Sequence, residues 1–445
     1  GIEENKESVR MRLKRKNETI LSLHQEENLT KVRRIGPPSS VAARHEFFKQ
    51  QRQEIILNGR PSNCIGPPIF LYHEVFSKFS SDFNNEKLDL SNGLCAWTNE
   101  LIETMANEHM NEDSRKNEFI NHITKFIDKL LEVKIEDGSS NDGMLLIETA
   151  CGENGLRIIH EIKNEIGEGG SDPTIQVTLS YSKYWAQEQR NKIRAVCSCP
   201  SILLAVAGPW ICVLGGIYTS NPVISPLTDL IPMIPSLDEK CYHRIACLFQ
   251  ALYNADQYLK NFYQGLDISK HENIGNPQRF YPYPHEYITD DRTVIFTYED
   301  WLTEDKTKLL FKGRTDGGCE IVIKFTQRYN AKVHHLCAEK NFAPKLFYVS
   351  NSSLGGWYMI VMKYIDSETL QTANITREEY NDVLKNIEEV IDTLHTNDIV
   401  FGDLRNSNIM IKKVDERLQA MLIDFDWAGI HQKDRYTPRI NPEIK

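Results

Sequence analysis

The sequence lacks any excess of positive charge and any pattern of paired cysteines. It contains 52 Lys and Arg residues and 62 Asp and Glu residues, so its net charge is −10 at pH 7. This balance argues against a general nucleic-acid coat, so contact with DNA or RNA must depend on local basic groups or a metal ion. The 10 cysteines include no C-x-x-C pair. We therefore expect reduced thiols, no disulfides and no structural zinc.

Apolar runs long enough to cross a membrane are also lacking. The most apolar stretch, residues 201–219, is divided by Gly208 and Pro209. This division predicts two buried strands joined by a turn, and no membrane contact. The charged first thirty residues contain no visible signal or transit peptide, and the chain begins with Gly1. We therefore expect an intracellular chain whose natural N-terminus is missing.

Changes in composition divide the 445 residues into four segments. Residues 1–61 are expected to form a polar N-terminal arm, and residues 62–270 have a globular composition. Residues 271–290 are rich in Tyr and Pro and predict a linker, which leaves 291–445 as a second domain. The predicted order of elements in the first domain is α-β-β-α-β-β-α, which indicates a mixed sheet with flanking helices. The expected fold class is α/β and α+β in two domains.

The stretch 142–163 predicts a β-hairpin. Two apolar runs flank residues 152–155, the spacing of a hairpin with a four-residue loop. Pairing the strands around this loop puts Glu161 opposite Leu146. Glu161 and Lys163 are two residues apart and therefore project from the same face of the strand.

Three acids of this hairpin could act together. Asp142 and Glu148 have the correct parity to share a face with Glu161, and either could be its partner. Two carboxylates on rigid strands suit Mg²⁺ or Mn²⁺, which would keep waters for a phosphate substrate. Lys163 beside them could orient a nucleophilic water or stabilise charge on the phosphate.

These residues resemble the PD-(D/E)XK restriction-endonuclease fold. Glu161 and Lys163 look like its E-x-K half, and Asp142 looks like its first aspartate. The resemblance favours Asp142 over Glu148 and implies that Asp142 and Glu161 hold the metal while Lys163 assists catalysis. It also implies an acid from the first helix, for which Glu112 and Glu118 are candidates.

A helix motif extends this resemblance. Gln176 and Tyr181 are similar to the Gln-then-Tyr helix motif of RecB-like nucleases, with a spacing one residue longer. The resemblance adds Gln176 to the catalytic residues. It implies cleavage of DNA phosphodiesters.

A second group of residues lies beyond the linker. Lys324 ends the strand pattern IVIK, Asp403 and Asn408 lie in FGDLRNSNIMI, and Asp424 follows a strand in MLIDFDWAG. Their order and spacing resemble the protein-kinase-like fold. The resemblance implies that Lys324 contacts the phosphates of ATP, that Asp403 is catalytic, and that Asn408 and Asp424 hold Mg²⁺.

The match to kinases is incomplete. Phe401-Gly402 replaces the usual His-Arg, Asp426 replaces the last Gly of D-F-G, and Lys332 stands where the helix glutamate is expected, with Glu339 near the helix end. No G-x-G-x-x-G precedes Lys324; the nearest glycines are at 313, 317 and 318. About twenty residues follow Asp424, so we expect a truncated C-terminal lobe. An active phosphotransferase and a degenerate nucleotide-binding module both remain open.

The combination of the two domains looks like fungal Crinkler-type effectors, over about residues 64–429. The resemblance implies a secreted, toxin-like effector that acts in a host cell nucleus. There a Mg²⁺-dependent endonuclease would cut DNA, regulated by or coupled to the kinase-like module, with host nuclear proteins as possible partners. The alternative is a kinase or pseudokinase effector whose nuclease-fold domain is inactive and serves as a binding module.

Overall fold

The computed structural model describes residues 25–127, 142–268, 275–289, 292–303, 305, 308–414 and 417–436. The chain divides into two compact units, Gly1–Tyr283 and Pro284–Lys445. This boundary falls within the segment expected to be a linker, of which residues 271–274 and 290 lie outside the described residues. The first 24 residues of the expected arm also lie outside them, as does the end of the helix pattern before the hairpin.

Nine helices are described in the first unit, and most begin where a side chain accepts a backbone N–H. Such caps satisfy donors that the first helical turn leaves unpaired. The N-cap residues of this kind are His73, Ser91, Asn111, Asp172 and Asp238. The helices are 25–33 (α1), Pro38–Val41 (α2), Arg44–Gln51 (α3), Glu74–Phe83 (α4), Asn92–Ala106 (α5), Glu112–Phe126 (α6), Pro173–Ala186 (α7), Asn191–Val196 (α8) and Glu239–Gln264 (α9).

The described part of the expected N-terminal arm is packed into the first unit. Val32 and Phe47 are 0% exposed and Ile56 is 1% exposed. The backbone N–H of Leu57 donates to Pro222 O at 2.9 Å. Residues 25–61 therefore belong to the first unit instead of forming a separate arm, because their apolar side chains are buried in its core.

The first unit contains one mixed sheet of six strands in the order β1-β2-β3-β4-β5, with β6 paired to β4. Strands β2 and β3 are parallel and the other pairs are antiparallel. The apolar stretch divided by Gly208 and Pro209 supplies β3 and β4. The strands are Gly143–Glu148 (β1), Asn154–Lys163 (β2), Ser201–Ala207 (β3), Trp210–Tyr218 (β4), Pro222–Pro226 (β5) and Ile231–Pro232 (β6).

The expected hairpin forms, but its predicted register is wrong. Gly143 lies opposite His160, and a bulge between Leu145 and Leu146 brings Leu146 opposite Leu156 instead of Glu161. The turn begins directly after Glu148, which is earlier in the chain than the predicted loop. Each residue of β2 therefore lies opposite an earlier residue of β1 than predicted, and β2 extends beyond the first residue of β1. Glu161 thus lies opposite position 142 instead of position 146, a shift of four residues. Because four is an even number, Asp142 and Glu161 still share one face of the sheet, as predicted.

The second unit contains a six-stranded antiparallel sheet with the order β11-β12-β10-β9-β8-β7. Burial alternates along β10, which puts Ile321, Ile323 and Phe325 into the core and Lys324 on the opposite face. The strands are Glu286–Thr289 (β7), Arg292–Trp301 (β8), Leu310–Thr315 (β9), Glu320–Thr326 (β10), Leu346–Val349 (β11) and Tyr358–Lys363 (β12).

Two helices and two small sheets complete the described part of the second unit. Helix Ala331–Glu339 (α10) lies between β10 and β11, and helix Arg377–Thr396 (α11) begins with a capping box of Thr376 and Glu379. One sheet contains Glu368–Thr369 (β13), Ile409–Val414 (β15) and Arg417–Leu422 (β16); the other contains Ile399–Val400 (β14) and Gly429–Ile430 (β17). Among the residues described, no helix is long and apolar enough to cross a bilayer.

Candidate functional sites

Glu161 is the most enclosed candidate residue of the first unit. It lies on β2 with 1% of its surface exposed. Its Oε1 accepts a hydrogen bond from Ser180 Oγ at 2.7 Å, and its Oε2 accepts one from Gln176 Nε2 at 2.8 Å. Both donors belong to α7 and are four residues apart, so they lie on one face of the helix. Helix α7 therefore holds both oxygens of this carboxylate.

Asp142 lies just before β1, beside Glu161. Its Oδ2 accepts a hydrogen bond from the backbone N–H of Ile162 at 2.8 Å, and its Oδ1 lies 3.2 Å from Lys116 Nζ. Burial, followed by the negative charge of Asp142, raises the pKa of Glu161 well above its usual value. The register shift thus makes Asp142 a direct neighbour of Glu161 rather than a diagonal one.

Helix α6 contributes the next residues of this site. Lys163 is 8% exposed, and its Nζ lies 2.9 Å from Glu112 Oε1. Glu112 and Lys116 are separated by one turn of α6, so an acid and a base from that helix pair with Lys163 and Asp142 respectively. The nuclease resemblance implied an acid from a helix before the hairpin, with Glu112 and Glu118 as candidates. Both lie on α6; Glu112 reaches the site and Glu118 is exposed.

Two other residues considered in the sequence lie elsewhere. Glu148 is opposite Asn154 at the far end of the hairpin. Tyr181 is fully buried and donates its hydroxyl to Cys199 O at 2.9 Å, away from Glu161. Ser180, which the sequence analysis missed, is the second donor of α7. The signal that could have found it is the four-residue spacing from Gln176, which matches one helical turn better than five residues do.

The donor set around Glu161 fits a hard cation only in part. Asp142 and Glu161 supply two carboxylates, which is within the one or two that Mg²⁺ takes from proteins. Within the described ranges, no group of three or more His, Cys, Asp or Glu is arranged to hold a metal ion. Any Mg²⁺ here would therefore need waters or phosphate oxygens for its other positions.

Lys324 is the centre of the candidate site in the second unit. Its Nζ lies 2.6 Å from Asp424 Oδ1 and 2.6 Å from Asp426 Oδ1. Asp426 Oδ2 also accepts a hydrogen bond from Thr326 Oγ1 at 2.8 Å. Lys324 and Thr326 are two residues apart on β10 and share the face that meets these acids. The predicted phosphate-contacting lysine and metal-binding aspartate therefore touch each other.

The three charges shift one another's pKa values. Burial opposes the charged form of Lys324, but Asp424 and Asp426 outweigh it and raise the pKa of the lysine. Burial also disfavours the charged form of Asp424, yet the positive charge of Lys324 lowers the pKa of this carboxyl. Burial, together with the charge of Asp424, raises the pKa of Asp426 to about 6. Asp424 is thus the more strongly ionised of the two acids.

Asn408 and Asp424 meet at one end of the β15–β16 hairpin. Ile409 pairs with Leu422, and the backbone N–H of Ile423 donates to Asn408 O at 2.9 Å. Asp424 follows with φ of 72°, a left-handed conformation that is uncommon outside glycine and is found at functional sites. The residue before β15 and the second residue after β16 therefore lie at the same end of one hairpin, and both carry side-chain oxygens of the kind that Mg²⁺ binds.

Asp403 is buried next to Asn408. Asn408 Nδ2 donates to Asp403 Oδ2 at 2.8 Å and to Asp403 O at 3.0 Å. Arg405 Nη2 donates to Asp403 Oδ2 at 2.7 Å, and Arg405 Nε lies at the ion-pair distance of 2.6 Å from Asp403 Oδ1. The amide nitrogen of Asn408 is thus used by Asp403, and its side-chain carbonyl oxygen is the atom suited to a cation.

The departures from the kinase pattern around Asp403 have a structural reason. Gly402 has φ of 82°, and a Cβ atom there would lie 2.3 Å from Trp427 O. Phe401 is 2% exposed and packs edge-on against Phe425, with ring centroids 5.4 Å apart. Phe425 in turn stacks on His334 of α10 at 4.5 Å. A glycine is therefore required before Asp403, and an aromatic stack supports the loop.

The glycines near Lys324 do not occupy the place of a phosphate-binding loop. Gly313 lies within β9, and the pair at 317 and 318 lies in the turn between β9 and β10. The connection between β8 and β9, residues 302–309, contains no glycine. A glycine-rich cover for phosphates is thus absent from the sequence of this connection.

Two kinases are among the known proteins that this chain resembles. No protein-family model matches the chain. A mitogen-activated protein kinase kinase kinase dlk-1 from Caenorhabditis briggsae is 28% identical over 145 residues, which cover 31% of this chain and 16% of that protein. The structure of the Cydia pomonella granulovirus kinase PK-1 matches with a TM-score of 0.25 and 20% identity, over 30% of this chain and 52% of that one.

The chain therefore spans about one sixth of the length of the curated relative and about half of the viral kinase. The sequence similarity, taken with the site around Lys324, supports a kinase-like module in this chain. It favours the alternative in which the kinase-like part is the functional one. The nuclease resemblance, the Crinkler resemblance and the host nucleus receive no support from the comparisons and stay predictions.

Proposed function

We propose that the second unit binds ATP with Mg²⁺ and transfers its terminal phosphoryl group. The observation that carries this proposal is the contact of Lys324 with Asp424 at 2.6 Å. It joins the strand lysine that neutralises phosphate charge in kinases to the acid that holds their metal. The weak similarity to a protein kinase is consistent with this proposal.

Each residue has a distinct role in this scheme. Lys324 binds phosphate oxygens, while Asp424 and the side-chain oxygen of Asn408 hold Mg²⁺, which when bound compensates the charge of the phosphates. Asp403 accepts the proton of the acceptor hydroxyl. Its hydrogen bond from Asn408 and its ion pair with Arg405 fix the carboxylate in one orientation.

We expect the affinity for ATP to be low. The connection between β8 and β9 has no glycine, so the sequence lacks the glycine-rich loop whose backbone N–H groups cover the phosphates in complete kinases. The charge contacts of Lys324 and the metal remain. Binding energy is therefore expected to come mainly from electrostatic contacts with the phosphates.

A phosphoryl-transfer assay tests this function. The full chain would be incubated with Mg²⁺ and ATP labelled on the terminal phosphate, and label on the protein, on a generic protein acceptor and on free phosphate would be counted. We expect Asp403→Asn to remove the signal and Asp398→Asn, a nearby exposed acid, to leave it unchanged. Equal signals from wild type and Asp403→Asn would overturn the assignment of Asp403.

A second candidate function belongs to the first unit: metal-dependent hydrolysis of phosphodiesters. The observation that favours it is that Asp142 just before β1, Glu161 and Lys163 on β2, and Gln176 on α7 lie close together. Asp142 and Glu161 would hold Mg²⁺ or Mn²⁺, Lys163 would stabilise charge on the phosphate, and Gln176 would orient Glu161. DNA is the substrate class that the nuclease resemblance implies.

Plasmid cleavage tests this activity, and its absence would remove the nuclease proposal for the first unit. Supercoiled DNA would be incubated with the full chain in Mg²⁺ or Mn²⁺, with Lys163→Ala as the test and Lys192→Ala, an exposed lysine, as the control. Nicking that Lys163→Ala abolishes and Lys192→Ala retains supports a nuclease.

A further inference from the structure

We propose that Asp426 is the acid that positions Lys324 for nucleotide phosphates, in the role that a helix glutamate has in complete kinases. The inference rests on the proposed function of the second unit and names a residue for it. In the kinase pattern this position of D-F-G is a glycine, which has no side chain. Here it carries a carboxylate in direct contact with the lysine.

Helix α10 supplies no acid to Lys324. Its acid, Glu339, is exposed at the last position of the helix, and Lys332 is exposed near its start. The face of α10 that packs into the core carries Val333, His334 and Cys337. Of the ion pairs within the described residues, those of Lys324 are with Asp424 and Asp426.

Asp426 is held in place from two sides. Its Oδ1 lies 2.6 Å from Lys324 Nζ, and its Oδ2 accepts from Thr326 Oγ1 at 2.8 Å. Lys324 and Thr326 are neighbours on the same face of β10. Both oxygens of the carboxylate are therefore tied to one rigid strand, which fixes its orientation towards the lysine.

Asp424 and Asp426 have different roles in this arrangement. Asp424 has the left-handed conformation and lies beside Asn408 at the end of the β15–β16 hairpin, where a cation needs it. A carboxylate that binds Mg²⁺ gives up most of its attraction for a lysine. Lys324 then keeps Asp426 as its acid partner, and the lysine stays extended towards the phosphates.

Binding measurements with and without metal test this role. The dissociation constant of the full chain for ATP would be measured by titration calorimetry in Mg²⁺ and again in EDTA, for wild type, Asp426→Asn, Lys324→Met and the double variant. A positioning role acts through the lysine, so Asp426→Asn should weaken binding about tenfold in Mg²⁺ and less in EDTA, where Asp424 still pairs with Lys324. In the double variant it should add nothing to Lys324→Met. Glu339→Gln is the matched control and should bind like the wild type.

Three outcomes overturn the inference. Further weakening of Lys324→Met by Asp426→Asn in Mg²⁺ makes Asp426 a metal ligand that acts independently of the lysine, and unchanged binding in Asp426→Asn removes the link to Lys324. Restored affinity in Asp426→Glu supports the requirement for a carboxylate, and affinity as low as in Asp426→Asn contradicts it. If the wild type binds no ATP in either condition, the proposed function itself is overturned. If the wild type binds ATP and Asp426→Asn binds it equally well, only the role of Asp426 is overturned.

Discussion

Ser180 donates its hydroxyl hydrogen to Glu161 Oε1 at 2.7 Å, one helical turn beyond the Gln176 amide that donates to Oε2. The bond joins α7 to the buried end of β2. A buried carboxyl group needs such donors, because an unsatisfied polar atom is costly away from water. Ser180 therefore contributes to the stability of the first unit as well as to the position of Glu161.

Replacement of Ser180 by Ala should lower the free energy of unfolding by about 1–2 kcal/mol. Ser182 is equally buried, but its hydroxyl donates to the Thr178 backbone within the same helix. Ser182→Ala should cost less, because no buried ionisable group loses a donor. Urea unfolding of both variants measures the difference, and equal losses would show that the bond to Glu161 contributes nothing.

Metal binding at Asp142 and Glu161 should be detectable without substrate. Both carboxylates are needed, so in an Asp424→Asn background that removes the second candidate metal site, Glu161→Gln or Asp142→Asn should remove the binding of Mn²⁺ measured by calorimetry or by its paramagnetic resonance signal. Glu148→Gln is the control, because Glu148 lies at the other end of the hairpin. Retained binding when Glu161→Gln is added to this background, or none in Asp424→Asn alone, would contradict a metal site here.

The stability of the second unit should depend on pH through His334. Its Nδ1 contacts the Tyr329 hydroxyl at 2.5 Å and its Nε2 contacts Pro344 O at 2.7 Å, the pattern of a neutral imidazole with a proton on Nε2. Burial lowers the pKa of His334 from 6.5 to about 4. The unfolded chain therefore binds this proton first, and the free energy of unfolding falls as the pH drops from 6.5 towards 4.

Between pH 7 and pH 5 this loss should be about 2 kcal/mol. The measurement is urea unfolding at both pH values for wild type, His334→Gln and His335→Gln, the last a change of the exposed neighbour. The difference in stability between wild type and His334→Gln should shrink at pH 5. A difference that stays constant with pH would mean that His334 titrates normally in the folded chain.

Gly402→Ala should destabilise the loop before Asp403 by more than about 1 kcal/mol, because the new Cβ meets Trp427 O in addition to the unfavourable φ. Gly318→Ala separates the two effects. Gly318 has φ of 78° but nothing within 4 Å of an added Cβ. If urea unfolding shows the same loss of unfolding free energy for both variants, the contact with Trp427 contributes nothing to stability.

The places of Lys324, Asn408 and Asp424 in the fold could be predicted because each adjoins a local pattern. Lys324 is near the end of an alternating strand, and Asn408 and Asp424 bracket a hairpin whose strands are apolar. Such patterns depend on neighbours in sequence and are visible without a structure. The pairing of Asn408 with Asp424 follows from that hairpin.

The register of the β1–β2 hairpin could not be predicted in the same way. The turn is set by Thr149, whose hydroxyl and backbone N–H both bond to Glu153 O, and by a bulge after Leu145. Strand periodicity fixes the face of a residue but allows slips of two or four. The sequence therefore predicted that Asp142 shares a face with Glu161 but not how close they are.

Two residues were missed because their roles depend on distant segments. Ser180 acts on Glu161 across 19 residues and Asp426 on Lys324 across 102 residues. In the sequence, Asp426 is visible only as the loss of the D-F-G glycine. Its contact with the lysine is set by the packing of the loop against β10, which no local pattern encodes.

Titration of the full chain with ATP in Mg²⁺ tests the central claim most directly. The comparison is between wild type, Lys324→Met and Lys332→Met, where Lys332 is the exposed lysine of α10. We predict measurable binding that Lys324→Met weakens at least about tenfold, or about 1.4 kcal/mol, and that Lys332→Met leaves unchanged. No binding by the wild type at millimolar ATP, or equal binding by Lys324→Met, would contradict a nucleotide site at Lys324.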